Sequence, residues 1–242
     1  MGAVFGWGPT EAALLAGDAA CLVVVDVLSF TTSVGVAVEA GTSVIPYRWR
    51  DGTAAAYAAD RDAVLAVGRS EASPETPWTL SPAALRAAPP VPRLVLPSPN
   101  GSTIAAGAGR ATVVAASLRN RTAVAHWLAR HGYGSDARPL AVVAAGERWP
   151  DGSLRPALED LLGAGAVLAA LRALVACDLT PEARAAATLW EATEDPAAEL
   201  RRCDSGRELY EYGYPQDVAV AAEVDTSETV PVLTDGAFLE AP

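Results

Sequence analysis

Five places in the chain set chemically capable residues where an apolar run ends or a helical pattern begins. Asp26 stands in the apolar run 21–28 and is followed by Ser29, Thr31, Thr32 and Ser33. Asn100, Gly101 and Ser102 form a tight turn after a second run, and Ser117 to Asn120 follow a third. Glu147 and Arg148 follow a fourth, with Glu159 and Asp160 opening the longest helical pattern. Ser205, Gly206 and Arg207 open another helical pattern. Hydroxyls, glycines and free N–H groups at helix starts can hold a phosphate or sulfonate. Carboxylates at neighbouring strand ends can hold a hard divalent cation such as Mg²⁺. Together they point to metal-assisted work on an anionic substrate.

Each turn also has a plainer use. Ser, Thr and Asn before a helix are commonly N-caps, each contributing about 1 kcal/mol. Glu159 and Asp160 complement a helix dipole, and Arg207 lies close to Glu208 and Glu211. Asp26 is harder to dismiss, because a carboxylate closing a buried strand is costly unless it meets a partner or ligand. Familiar phosphatase devices fail. Leu28 stands where a haloacid-dehalogenase site needs its second Asp. Val27, Ala183 and Leu209 stand where a cysteine phosphatase needs its arginine. Arg130-His131-Gly132 spells a histidine-phosphatase triplet but ends an amphipathic helix, with Gly132 as the stop. His126 and His131 would lie about 140° apart on that helix, a poor pair of ligands. Any metal should therefore be oxygen-ligated.

The elements that must position these residues alternate. Strands are expected at 21–28, 43–47, 93–98, 111–117 and 139–146, and a closing strand pair at 230–239. Helices are expected at 31–41, 53–66, 121–132 and 156–174, in the segments 181–192 and 205–213, and after Gly101. Residues 217–225 fit either strand or helix. Residues 68–92 read as an irregular loop with one short helix. This alternation predicts an α/β fold of three layers, with a largely parallel or mixed sheet and helices on both faces. Ligands of such sheets sit beyond the carboxyl ends of the strands. We read 1–242 as one α/β domain, or two lobes joined near 68–92.

Bulk properties narrow the function. Hydrophobic residues make up 51% of the 242, enough for a sizeable core. A net charge of −11 repels nucleic acid and anionic membranes, so neither is expected as a partner. All 18 basic residues are arginine, which excludes Schiff-base, Walker-type and Ser–Lys chemistry. Cys21, Cys177 and Cys203 form no CxxC pair, and neither a signal peptide nor a membrane span is indicated. A cytoplasmic protein is expected. The alanine-rich helices can pack within the domain or across a homodimer interface.

The ordered set of segments resembles the 2-phosphosulfolactate phosphatase family, often called ComB, over about 20–240. The family's Asp-Val-Leu-x-x-Thr-Thr segment appears as Asp26-Val27-Leu28-Ser29-Phe30-Thr31-Thr32, and its Asn-Gly-Thr turn as Asn100-Gly101-Ser102. Ser117-Leu118-Arg119-Asn120 matches a Ser-Leu-x-Asn segment. Ala145-Gly146, Glu159-Asp160, Ala164-Gly165, Ser205-Gly206-Arg207 and Val230-Pro231-Val232 follow in family order. The chain departs at Ser29-Phe30, where Arg-Ala is common, and at Gly68-Arg69-Ser70-Glu71 and Thr79-Leu80-Ser81-Pro82, which replace Gly-Glu-Arg-Gly-Gly and Gly-Asn-Ser-Pro.

The resemblance implies a ComB-like α/β unit and Mg²⁺-dependent hydrolysis of 2-phospho-3-sulfolactate, a small anionic phosphoester on the route to coenzyme M. In that reading Asp26 is the first metal ligand and Glu147, Glu159 or Asp160 completes the shell, with Asp26, Glu159 and Asp160 as the expected set, unless Asp26 is instead a covalent nucleophile. Asn100, Glu147, Arg148 and Arg207 act with Asp26 and Asp160 in catalysis. Ser29, Thr31, Thr32, Gly101, Ser102, Asn120, Ser205 and Gly206 contact substrate. The alternatives are another phosphomonoester on the same fold, or a non-catalytic anion-binding protein.

Overall fold

The computed structural model describes residues 2–48 and 52–241. Strands in chain order are β1 (Ala3–Trp7), β2 (Cys21–Val25), β3 (Ser43–Tyr47), β4 (Val64–Leu65), β5 (Arg93–Pro97), β6 (Thr112–Ala116), β7 (Leu140–Ala144), β8 (Glu147–Arg148), β9 (Leu154–Arg155), β10 (Pro231–Thr234) and β11 (Ala237–Glu240). Helices are α1 (Gly8–Leu15), α2 (Phe30–Glu39), α3 (Thr53–Ala59), α4 (Pro82–Ala87), α5 (Gly101–Gly107), α6 (Arg121–Arg130), α7 (Leu158–Leu174), α8 (Pro181–Ala192), α9 (Pro196–Arg202), α10 (Asp204–Glu211) and α11 (Pro215–Ala221). Short 3₁₀ turns cover Arg69–Glu71 and Leu118–Asn120.

Nine strands form one sheet in the order β1-β7-β2-β6-β10-β11-β3-β5-β4. β1, β7, β2 and β6 form one parallel block, and β3, β5 and β4 another. The antiparallel hairpin β10–β11 joins them through the bridges Val232–Val114 and Phe238–Val44. Three successive antiparallel pairings reverse the strand sense between the blocks. Sheets ordinarily twist by roughly 20–25° per neighbour, which over the five steps from β2 to β5 amounts to roughly 100–125°. Carboxyl ends that oppose each other along the ladder can thereby meet at one place.

The expected three layers are present. Cys21, Val23 and Val25 of β2 pack on one face with Leu128 of α6, Leu162 and Leu168 of α7 and Ala186 of α8. Leu22 and Val24 face the other way, toward Phe30 and Val34 of α2 and Ile104 of α5. Burial on both faces explains why these strands read as unbroken apolar runs.

Differences from the expected elements have local causes. The helix expected at 53–66 stops at Ala59, because Asp62 takes φ +50° and the chain returns as β4 beside β5. Aspartate tolerates that left-handed geometry better than most residues. The ambiguous segment becomes helix α11, opened by Pro215 at a position where its missing N–H costs nothing. Strand β1 and helices α1 and α9 lie outside the segments read from the sequence.

Candidate active site

Asp26 is the first residue beyond β2 and is only 4% exposed. Its Oδ1 accepts from Phe30 N–H at 3.0 Å, and Oδ2 from Gly101 N–H at 2.9 Å. The first bond is local to the start of α2. The second crosses from the β5 block, so the carboxylate pins the two halves of the sheet together. Thr31 clasps the loop, its Oγ1 donating to Asp26 O at 2.8 Å and accepting from Asp26 N–H at 2.9 Å. Thr32 donates to Val27 O at 2.8 Å.

The β5 turn brings Asn100, whose Nδ2 donates to Glu147 Oε2 at 2.8 Å. Glu147 comes from the β8–β9 hairpin. Ser102 donates to the carbonyls of Tyr47 (2.9 Å) and Ser98, stitching the turn to β3.

Helix α7 delivers Glu159 and Asp160 to the end of β2. It can approach because Gly163 has no side chain: a Cβ there would meet Val25 Cγ1 at 2.7 Å and Val27 Cγ2 at 2.8 Å. The two acids differ in use. Asp160 Oδ1 accepts from Val27 N–H at 2.7 Å and Oδ2 from Gly146 N–H at 2.8 Å, so it braces two strand-end loops. Glu159 is 2% exposed and its Oε2 has no hydrogen-bond partner. A buried unpartnered carboxylate oxygen is costly in the absence of a ligand.

The four acids lie within one another's electrostatic reach. Burial, opposed by the Phe30 and Gly101 N–H donors and reinforced by the charge of Glu159, raises Asp26 to about 6. Burial and then the charge of Asp26 raise Glu147 to about 7. Burial, Asp26 and Glu159 hold Asp160 well above the ordinary carboxylate range. Burial and the charge of Glu159 also push the Cys203 thiol up, which removes it as a nucleophile at neutral pH.

A cavity of about 330 Å³ opens over two of these acids, Asp26 and Glu147. Asp26, Ser29, Asn100 and Glu147 line it together with Arg48, Arg69 and Ser205. Helix α10 forms one wall through Ser205 and Leu209, with Tyr212 just beyond its end, and is tied across by two bonds from Arg155 to Glu208, at 2.8 and 3.0 Å. Such a volume suits a small ligand.

A comparison with protein-family models matches residues 10–236 to 2-phosphosulpholactate phosphatase. The chain belongs to this family. A probable 2-phosphosulfolactate phosphatase of Thermotoga petrophila is 30% identical over 222 residues, 90% of each chain. One from Deinococcus radiodurans is 34% identical over 146 residues, which cover 60% of this chain and 57% of that protein. The family is one of phosphoric monoester hydrolases.

Within this phosphatase-family fold, the residues singled out from the sequence divide into three groups, apart from Glu159, which is buried behind the cavity lining. Asp26, Ser29, Asn100, Glu147 and Ser205 line the cavity. Thr31, Thr32, Gly101, Ser102 and Asp160 hold its frame through the bonds above. Asn120, Gly206, Arg148 and Arg207 do other things. Asn120 accepts from Ser117 N–H at 2.9 Å and donates to Thr229 O at 3.0 Å, closing a buried turn. Gly206 packs so closely that a Cβ would overlap Leu200 O at 1.8 Å. Arg148 is exposed, bonds Gly152 O at 3.1 Å and lines a separate 170 Å³ cavity beyond Asn100 and Glu147. Arg207 is exposed and paired with its neighbour Asp204, a pull that keeps it on the outer face of α10.

The expected triad of metal carboxylates is not gathered as such. Among the described residues, no group of three or more His, Cys, Asp or Glu side chains forms a ready cage. Asp160 spends an accepting position of each oxygen on backbone N–H groups. The structure also brings in Arg69, which the sequence reading noted only as part of an altered segment. Its nearest signal was an arginine in a loop beside a glycine. His131 ends α6, with its Nδ1 2.8 Å from Trp127 O, as its helix-end reading requires.

Proposed function

We propose that this chain is a Mg²⁺-dependent phosphatase acting on a small phosphoester that carries a further acidic group, with 2-phospho-3-sulfolactate as the first substrate to test. The observation that carries the reading is the unpartnered, buried Oε2 of Glu159 within electrostatic reach of Asp26 and Glu147, the two acids that line a cavity of small-ligand size. The donors are hard carboxylate oxygens, the chemistry a magnesium ion takes. Mg²⁺ commonly takes only one or two protein carboxylates, since water and phosphate complete its shell. Asp26 and Glu159 would hold it, with Glu147 as the neighbouring acid.

When bound, the ion would polarise the phosphoryl group and ease deprotonation of a water. The protein's own groups do the positioning. Phe30 and Gly101 N–H fix the Asp26 carboxylate, and the Asn100 amide fixes Glu147. Asp160 holds the loops that carry Val27 and Gly146. Ser29 and Ser205 line the cavity with hydroxyls, and Ser205 can donate to the phosphoryl oxygens.

Free thiols at Cys21, Cys177 and Cys203 fit a cytoplasmic enzyme, and no described helix is long and apolar enough to cross a membrane. Phosphate release from 2-phosphosulfolactate and a panel of monoesters tests the proposal, with Mg²⁺, with EDTA, and for Asp26→Asn. Activity should require Mg²⁺ and Asp26. Full turnover in EDTA, or by Asp26→Asn, overturns the metal assignment; preference for another monoester by orders of magnitude replaces the substrate.

A further inference from the structure

Arg69 reaches the cavity from the 3₁₀ turn in the loop between β4 and α4. Its Nε donates to Asp217 Oδ2 at 2.9 Å. Its Nη2 donates to Ser29 Oγ at 2.8 Å and to Leu80 O at 3.0 Å. Asp217 is fully buried, and its other oxygen accepts from Ser81 Oγ and Ala83 N–H. The guanidinium is thus held by groups from three separated segments, while Nη1 has no hydrogen bond to any described residue. This arrangement exceeds what surface solubility asks of an arginine. A buried ion pair is weak evidence for stability, because desolvation offsets attraction. It does fix the direction of a fork.

We propose that Arg69 selects phosphoesters bearing a second anionic group, receiving that carboxylate or sulfonate on Nη1 inside the cavity. The inference rests on the phosphatase reading above. The remaining polar lining explains why the second anion needs its own receptor. Asp26 and Glu147 repel any anion not shielded by a cation, and one cation at Asp26 serves the phosphoryl group. A second acid group on the substrate therefore binds at a lining arginine, Arg48 or Arg69, and the Arg69 fork is favoured because Asp217 fixes its direction. Arg69 is locked before the substrate arrives, so little side-chain entropy is lost on binding. Asp217 is a positioning residue for it.

The test uses the full chain with Mg²⁺, comparing 2-phosphosulfolactate with phenyl phosphate, which has no second acid. Arg69→Ala alone would strand the buried Asp217 charge and risk misfolding. The variants are therefore Arg69→Lys and the double change Arg69→Ala with Asp217→Asn, with thermal melts to confirm folding. KM for 2-phosphosulfolactate should rise roughly 10- to 100-fold, the cost of a lost charged hydrogen bond, with kcat little changed. The kcat/KM for phenyl phosphate should stay within about twofold, below 0.5 kcal/mol in transition-state terms. Affinity for 3-sulfolactate by calorimetry should fall with KM. Equal losses on both substrates, or unchanged 3-sulfolactate affinity, overturn the proposal. If the wild type hydrolyses no phosphoester, the phosphatase reading falls, and 3-sulfolactate binding alone decides: binding that depends on Arg69 upholds this role, and binding absent or indifferent to Arg69 ends it.

Discussion

The N–H of Gly101 donates to Oδ2 of Asp26 at 2.9 Å, across 75 residues of sequence and between the two parallel blocks of the sheet. Nothing larger than glycine fits there. A Cβ at position 101 would lie 2.4 Å from Phe30 Cδ1 and 2.8 Å from Asp26 Oδ2. Gly101→Ala should therefore cost about 1–3 kcal/mol, the usual penalty of overpacking. It should also displace the carboxylate, with a loss of kcat far larger than the loss of folded protein. Urea melts and phosphate release measure the two effects separately.

Glu159 and Asp160 are sequence neighbours with opposite expected responses to neutralisation. Asp160→Asn sets an amide NH₂ against an N–H donor of Val27 or Gly146, and should destabilise by roughly 1–3 kcal/mol. Glu159→Gln removes a buried charge whose Oε2 has no partner, and should raise the melting temperature in EDTA while abolishing the stabilisation by Mg²⁺. Differential scanning fluorimetry of both variants, with and without Mg²⁺, checks the contrast; a metal response intact in Glu159→Gln would exclude Glu159 as a ligand.

In EDTA, stability should fall as pH rises from about 4 to about 7. Asp26 and Glu147 have folded-state values of about 6 and about 7, above their ordinary values of 3.8 and 4.5. The folded protein therefore binds more protons than the unfolded chain in that window, and each unit of separation costs about 1.4 kcal/mol once both states are ionised. Glu223 acts the other way, because its bonds to Arg86 and then Arg119 lower its pKa. Its contribution is present above its ordinary value of 4.5 and lost as pH falls below it, at the acid edge of the window of the two site acids. Chemical denaturation at pH 5 and pH 8 should thus find the chelated protein more stable at pH 5, and Mg²⁺ should narrow the gap.

Arg207→Ala should leave kcat and KM within about twofold of wild type, since an exposed pair contributes only about 0–1 kcal/mol. Its guanidinium meets Asp204 on the outer face of α10 and is not among the cavity-lining residues. A large loss of activity would place it back in the site.

Local pattern made much of this protein legible from sequence. Unbroken valine and alanine runs announced strands buried on both faces, and the glycines at 41 and 132 marked where helices stop. Asp26, Asn100 and Glu147 were legible because a polar residue at the end of an apolar strand is expensive without a purpose. Pairing was not legible, because the same residue types serve as cap, brace or ligand. Glu159 and Asp160 share a helix turn, yet only Asp160 meets two N–H groups, since a helix sends successive side chains about 100° apart. Arg69 and Arg207 each follow a glycine. One faces the cavity because Asp217, 148 residues away in sequence, holds its Nε, while the other turns to its neighbour Asp204. Sequence by itself determined which strand ends carry chemistry; only the tertiary structure decided which side chains share one cavity, because that depends on sheet twist and on contacts between segments far apart in the chain.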